Sequence, residues 1–383
     1  MKTVLSFASA ALAAAVAFTG PAQAADTIKI GVNVPLTGFA AADGKSALTG
    51  IELAVEQANA DGGVNGKMVE LVIYDDQASP KEAAPIATKL IEQDKVAVGI
   101  SGSYSGSTRA ASGIFQANGV PYISAFAIHP DITRAGDFVF RTSFVGEVQG
   151  RAGAKLIGET LGAKKVAVIT LKNDFGQSLA AGFKEKAADF GLTITGEYEY
   201  GMKDRQFGPI VAKVKSDNPD AIYASGYFFT AGPLVTQLRA AGVTVPVIGQ
   251  EGYDSEKFIE IAGPASEGVI ITTSLDRDSD APETRAFIAA FEKKAGFKAD
   301  MVGASGHTAA KVAIAALRKA GTTDPVAVRD AIRTATVEAS TGTISFNDLG
   351  EVTKDVQVQV VKDGAWHRHS IISDKTLLAP PSK

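Results

Sequence analysis

Apolar and polar positions along this chain switch repeatedly between a period of two and a period near 3.6, and the order of the switches predicts the fold. Thr27 to Pro35 alternates and reads as a strand. A loop of small residues, Leu36–Gly44, follows. Leu48, Ile51, Ala54, Val55 and Ala58 then recur at helical spacing, so a helix is expected over Lys45–Asn59. Asp61-Gly62-Gly63 ends it, because glycine tolerates the left-handed backbone of a helix terminus. Met68–Tyr74 is a second strand with Asp75-Asp76 at its carboxyl end, and Ser79-Pro80 opens a helix as N-cap and first residue. The run from Val96 breaks into Ser101-Gly-Ser-Tyr-Ser-Gly-Ser107 before a helical pattern from Thr108 to Asn118, and Val120–Ser124 is another short strand. A β-α-β-α-β order implies a parallel sheet with helices on both faces.

After Arg141-Thr142-Ser143 the series starts again. Strands are expected at Lys165–Leu171, Leu192–Tyr198, Asp220–Ala224 and Val245–Gly249. Helices fall at Gly176–Phe190, at Phe207–Ser216 and up to Ala241. The pattern predicts an α/β protein of two similar Rossmann-like lobes. A strand at Val269–Ser274 precedes three helical stretches, Pro282–Ala295, Gly303–Ala320 and Pro325–Thr334; strands at Thr343–Phe346 and Val356–Lys362 and a polar tail follow. Three helices without strands of their own need a sheet to cover, and the first lobe is short of helices. The chain is therefore expected to return to lobe one near Ser274 and to leave it near Phe346. Lobe one would hold residues 25–144 and 275–345, lobe two 145–274 and 346–370, with 371–383 as tail. Three crossings predict a hinge beside a cleft.

Composition changes this picture at the front. Lys2, the apolar run Val4–Phe18 and Ala22-Gln23-Ala24 have the form of a secretory leader over residues 1–24, cleaved after Ala24. The run is shorter than the roughly 20 residues a membrane span needs. The chain has no cysteine, which rules out disulfides and a lipid-modified cysteine and favours a freely diffusing periplasmic protein. Without Lys2 the chain carries 37 basic and 42 acidic residues, too mild a balance to suggest nucleic acid or an anionic membrane surface.

Ligands of open α/β sheets sit beyond the carboxyl ends of the strands. In the first lobe those ends carry Leu36–Gly44, Ser101–Ser107 and Ala125–His129. In the second they carry Lys172–Phe175, Tyr223–Phe229 and Gln250–Tyr253. The set offers hydroxyls, free N–H groups at a helix start, aromatics and the carboxylate of Glu251, a chemistry suited to a zwitterion or an organic acid. The Ser/Gly loop taken alone is equally well read as turn residues. Gly-x-Gly-x-x-Gly, Walker and Gly-x-Ser-x-Gly motifs are absent. His129, His307, His367 and His369 offer no metal-ligand spacing, so no metal, cofactor or catalysis is expected.

Several motifs occur in a familiar order: Ile28-Lys-Ile-Gly-Val, Pro35-Leu-Thr-Gly38, Asn59-Ala-Asp-Gly-Gly-Val-Asn-Gly66, Tyr74-Asp-Asp-Gln-Ala-Ser-Pro-Lys81, Arg141-Thr142-Ser143, Ala241-Gly242 and Gly249-Gln-Glu-Gly252. Over Ile28–Trp366 the chain resembles the Leu/Ile/Val-binding protein family, the substrate-binding proteins of branched-chain amino-acid ABC importers. The resemblance implies a type I periplasmic binding protein, with two lobes on a three-segment hinge and ligand captured by closure. It implies a monomer that delivers a small molecule to an inner-membrane ABC permease, without nucleic acid or membrane insertion.

By position, the resemblance makes Ser105 the carboxylate contact, with Ser107 and Thr108 beside it. Two extra residues precede Ser105, so Ser103 competes for that role. Tyr227 matches a lobe-two tyrosine and Glu251 the glutamate that meets the ligand ammonium. Phe126 matches a position whose backbone carbonyl accepts from that ammonium, and Phe175 a position often held by tyrosine. Two positions depart from the family pattern: Ile128 replaces a threonine that contacts the ammonium, and Asp43 replaces a tryptophan that packs on an aliphatic side chain. The ligand expected is a branched-chain or other neutral amino acid; the alternatives are an aromatic or other organic acid or amide, and a ligand-sensing module of a membrane receptor.

Overall fold

The computed structural model describes residues 27–382; the leader over residues 1–24 and its cleavage site lie outside the described residues. Both series of elements form, and each builds its own sheet. The first contains β1 (Ile28–Val34), α1 (Ala41–Ala60), β2 (Val69–Asp75), α2 (Pro80–Glu92), β3 (Val98–Ser101), α3 (Ser105–Ala117), β4 (Tyr122–Ser124) and β5 (Val139–Arg141). Its five strands run parallel in the order β2-β1-β3-β4-β5. The chain then passes through α4 (Gly146–Lys155), β6 (Lys165–Leu171), α5 (Asp174–Ala187), β7 (Thr193–Tyr200), α6 (Gly208–Asp217), β8 (Ala221–Ala224), α7 (Phe228–Ala240), β9 (Val247–Gly249), α8 (Glu256–Ala262) and β10 (Ile270–Thr273).

From β10 the chain crosses back. Helices α9 (Pro282–Ala295), α10 (Met301–Ala320) and α11 (Pro325–Arg333) cover the first lobe, where α10 lies on α1, β3 and β4. A hairpin of β11 (Thr336–Ala339) and β12 (Gly342–Ser345) follows. A third crossing reaches β13 (Val356–Lys362) and β14 (Ala365–Ile372). These join the second sheet antiparallel, giving the order β14-β13-β10-β9-β8-β6-β7. The fold is α/β, with two lobes joined by a three-segment hinge.

Both sheets are covered on two faces, which is why their strands read as apolar runs. In β6, Val166 and Val168 face one core while Ala167, Ile169 and Leu171 face the other. The larger core includes residues of both lobes, so apolar contact is continuous across the cleft and the lobes stand closed.

Several boundaries differ from the sequence expectation. Helix α3 begins at Ser105, not Thr108, so half of the Ser/Gly loop forms the first turn of a helix. Helix α7 begins at Phe228, which places Phe228 and Phe229 on a helix and not in a strand exit. The strand expected at Thr343–Phe346 is one arm of the β11–β12 hairpin. The chain beyond Lys362 is not simply a polar tail. It forms β14, an edge strand on which Trp366 and Ile372 are buried among exposed polar neighbours, and Leu377 and Leu378 pack into the second core. Strand β5 and helix α4 were not anticipated; the first has three residues and the second is rich in Gly and Ala.

Helices α1 and α10 meet backbone to backbone. A Cβ added to Gly50 would stand 2.0 Å from the Gly303 carbonyl oxygen. Gly50→Ala should therefore lower unfolding stability by about 1–3 kcal/mol, the usual cost of overpacking. Gly113→Ala, on a helix with nothing within 4 Å of the new methyl, should raise it by about 0.5–1 kcal/mol. Urea midpoints of the two variants check both signs, and an unchanged midpoint for Gly50→Ala would contradict the close approach.

Candidate functional site

The site grows from the carboxyl ends of β2 and β3. Asp75 accepts hydrogen bonds from Leu36 N at 2.8 Å and Thr37 Oγ1 at 2.5 Å, which ties down the loop after β1. Asp76 is fully buried and accepts from Asn33 Nδ2 at 2.7 Å and Ser103 Oγ at 2.9 Å. Thr108 Oγ1 lies 2.7 Å from Ser101 Oγ and donates to the Ser103 carbonyl at 3.1 Å. Ser103 and Thr108 thus brace the loop from within. Ser105, the first residue of α3, is left to face the cleft. Its Oγ accepts from Ile128 N at 3.3 Å, and no side chain caps the helix. The N–H groups of a first helical turn have no partner within the helix, so this end suits a carboxylate.

Lobe two contributes an aromatic wall and an acid. Tyr227 stands at the N-cap of α7 and stacks on Phe175, from the first turn of α5, with ring centroids 4.8 Å apart. On its other side it stacks on Tyr104 of lobe one, centroids 4.1 Å apart and planes 7° from parallel. Glu251 follows β9 in a short 3₁₀ turn, Glu251–Tyr253. That turn requires Gly252, because a Cβ there would lie 2.2 Å from the Gly226 carbonyl. Close passage of the two strand exits fixes where Glu251 points.

These groups line a narrow cavity with about 300 Å³ of space unfilled by atoms, open solvent included. Ser105, Phe126, Phe175, Tyr227, Glu251 and Asp43 all line it. Glu251 is 2 % exposed, and neither of its carboxyl oxygens has a hydrogen-bonding partner among the described residues. Burial pushes its pKa up to about 8, against the attraction of Lys354 and Arg141 and with added repulsion from Asp254. Lys354 is buried as well, and burial pushes it down to about 7. Its Nζ reaches the Thr142 carbonyl at 3.4 Å and lies over the Phe144 ring. Asp43 accepts from the Tyr104 hydroxyl at 2.6 Å, and burial raises it to about 7.

Of the ten residues singled out in the sequence, six meet at the cavity and four do not. Ser103 and Thr108 are engaged as described. Ser107 lies buried in α3 with its hydroxyl unpartnered. Ile128 is fully buried, and its main chain serves Ser105 and Gly146. Sequence reasoning missed Tyr104, Ala127, Gly252, Met301 and Val302 as lining residues. Tyr104 sat inside the loop already marked. Met301 and Val302 belong to a helix read as starting at Gly303; its N-cap, Asp300, accepts from Gly303 N at 2.8 Å and was the available signal. Nothing in the sequence marked Lys354.

A larger hollow of about 1100 Å³, which includes open solvent, is lined by Glu256, Arg277 and Trp366 among others. It lies away from these loops and has no unpartnered acid within it, so chemistry favours the smaller cavity. Among the described residues no helix is long and apolar enough to cross a membrane.

The profile of the periplasmic binding protein family matches residues 27–365. The leucine-, isoleucine-, valine-, threonine- and alanine-binding protein of Pseudomonas aeruginosa is 33% identical over 363 residues, 94% of this chain and 95% of that protein. A branched-chain amino acid transporter substrate-binding protein of Streptococcus pneumoniae, solved in complex with isoleucine, is 28% identical with a TM-score of 0.85, covering 91% of this chain and 99% of that one. A solute-binding protein of an ABC transporter from R. palustris, solved in complex with benzoate, is 26% identical with a TM-score of 0.83, covering 90% and 96%.

Glu251 burdens the ligand-free protein. Its folded pKa of about 8 lies above the ordinary 4.5, so the folded state holds a proton that the unfolded state has lost, and stability falls as pH rises through that window. Glu251→Gln should stabilise the ligand-free protein at pH 8 by about 1–3 kcal/mol, the scale of a buried unsatisfied polar group. Near pH 4.5 the gain should be small. Thermal melts of the two proteins across this range are the check, and an equal gain at both ends would count against a buried, unpaired carboxyl.

Proposed function

The chain belongs to the periplasmic binding protein family, and from that premise we propose that it captures a neutral α-amino acid between its lobes for delivery to an inner-membrane permease. Family and relatives support the coarser statement directly: this is a periplasmic binding protein of a branched-chain amino acid-type ABC transporter. They are substrate-binding proteins, not enzymes. The observation that carries the finer reading is Glu251, a buried acid lining the cavity with both oxygens unpartnered. An ammonium supplies the hydrogen bonds and charge that it lacks. The ligand carboxylate goes to Ser105 and the uncapped start of α3, and the side chain lies against Phe175, Tyr227 and Phe126. The protein acts as a monomer in the periplasm, its lobes meeting at 144/145, 274/275 and 345/346.

A second reading, an aromatic carboxylic acid, is favoured by one observation. Tyr104, Phe126, Phe175 and Tyr227 all line the cavity, and a Glu251 that keeps its proton at neutral pH can donate to a carboxylate. The R. palustris protein solved with benzoate shares this fold.

Proton linkage separates the two. An ammonium needs ionised Glu251, whose pKa burial in the closed cleft raises to about 8. The Kd of an amino acid should then fall about tenfold per pH unit from pH 6 towards 8, with up to one proton released per ligand. An acid held by protonated Glu251 should weaken as pH rises through 8. Calorimetric titrations of leucine, valine and benzoate in buffers of different ionisation heat measure the slope and the proton count. A pH-independent amino-acid Kd with no proton release would remove Glu251 from the ammonium contact.

A further inference from the structure

The amino-acid reading leaves one buried acid of the cavity without a task. Asp43 sits in the first turn of α1, 5 % exposed, and lines the same space as Glu251. Among the described residues its one hydrogen bond is at Oδ2, from the Tyr104 hydroxyl at 2.6 Å, and no cation pairs with it. The two acids stand in different surroundings. Glu251 feels Lys354 and Arg141 of the hinge, Asp43 feels Asp300 at the N-cap of α10, and Asp254 repels both. Neither figures among the charges acting on the other. The cavity therefore has an acid towards the hinge and a second acid towards Tyr104 and α10.

A role confined to orienting Tyr104 would need only one acceptor oxygen, and a neutral amide would serve at less cost in burial. The second oxygen, Oδ1, is what a purely aliphatic side chain would cover without replacing the water it displaced. A site built around a buried polar group discriminates strongly against analogues that leave that group unpaired. We propose that this cavity selects α-amino acids whose side chain ends in a hydrogen-bond donor, such as a hydroxyl or carboxamide, with Asp43 accepting that donor while Glu251 holds the α-ammonium. The inference rests on the amino-acid reading and deepens it.

The test uses pairs of equal shape that differ in the donor: valine and threonine, leucine and asparagine, methionine and glutamine, phenylalanine and tyrosine. Kd values are measured by calorimetry on the native protein at pH 8, where Asp43 is mostly ionised and Glu251 about half so. The donor-bearing member of at least one pair should bind about 10- to 100-fold tighter, the range of a hydrogen bond to a charged group. In Asp43→Leu combined with Tyr104→Phe, which removes both polar partners together, the preference should turn to the apolar member. Apolar members binding equally or more tightly in every pair that binds, with binding still lost in Glu251→Gln, overturns this inference and leaves the amino-acid reading standing. An unchanged preference in the double variant takes the selection away from Asp43 and overturns it too. If no α-amino acid binds while benzoate does, the amino-acid reading falls and this inference with it. The native comparison decides even if the double variant does not fold.

Discussion

The site depends on a buried ion pair that never touches it. Arg141, fully buried at the end of β5, meets Glu351 on the third crossing through Nε–Oε2 and Nη2–Oε1 contacts, each 2.9 Å. Its remaining donors hold the carbonyls of Ala127 and His129, both at 2.9 Å. Those carbonyls flank Ile128, whose N–H goes to Ser105 and whose neighbour Phe126 lines the cavity. One guanidinium therefore fixes a hinge segment and a ligand loop at once. Such a pair is weak evidence for stability, because desolvation offsets much of its attraction, yet removing one partner costs about 3–5 kcal/mol. Its effect is positional: it ties the third crossing to the loop that carries Phe126 and Ile128.

The opposing constraint is electrostatic. Closing the lobes stacks Tyr104 on Tyr227, brings Arg109 Nε to 3.1 Å from Asp174, and sets Met301 N 3.4 Å from Asp254 Oδ1. These contacts favour closure, though the Arg109–Asp174 pair is half-exposed and worth little by itself. In this closed arrangement Glu251, Asp43 and Lys354 are buried, and burial pushes each towards its neutral form. The closed cleft thus holds two acids, of which Glu251 has no hydrogen-bonding partner among the described residues. A ligand that supplies one changes the balance between open and closed by its differential affinity for the closed form, which is all that a ligand can contribute to such an equilibrium.

Much of this architecture is legible from periodicity, because strands buried on both faces and one-sided helices leave strong patterns. Lys165–Leu171, Pro282–Ala295 and Val356–Lys362 match their elements end to end. What escaped was short or atypical: three-residue β5, Gly- and Ala-rich α4, and β14, whose edge position lets it stay polar. Six of the residues named at strand exits and loops line the cavity, because topology brings those ends together. The start of α3 was misplaced because Ser and Gly signal turns, yet a first helical turn needs few hydrogen bonds and tolerates them. Ser103 and Ser105 could not be separated in the sequence. Only the hydrogen bond from Ser103 to Asp76, across 27 positions, assigns one of them to the scaffold.

The generic and the selective parts of the pocket are therefore different in kind. On the proposed reading, a helix start beside the Ser105 hydroxyl, which accepts from Ile128 N, suits almost any small carboxylate, so it fixes orientation and says little about identity. On that same reading, identity lies with the groups that are costly to leave unpaired. Glu251 is one; Asp43, held by Tyr104 yet still facing the cavity, is the other. Aromatic walls add area and tolerate many shapes, whereas a buried acid rejects every ligand that cannot meet it. The unusual residue at position 43 is thus better understood as a restriction on the ligand than as a blemish in an aliphatic pocket. The cost of burying its carboxyl, which burial raises to about 7, is the physical form that the restriction takes.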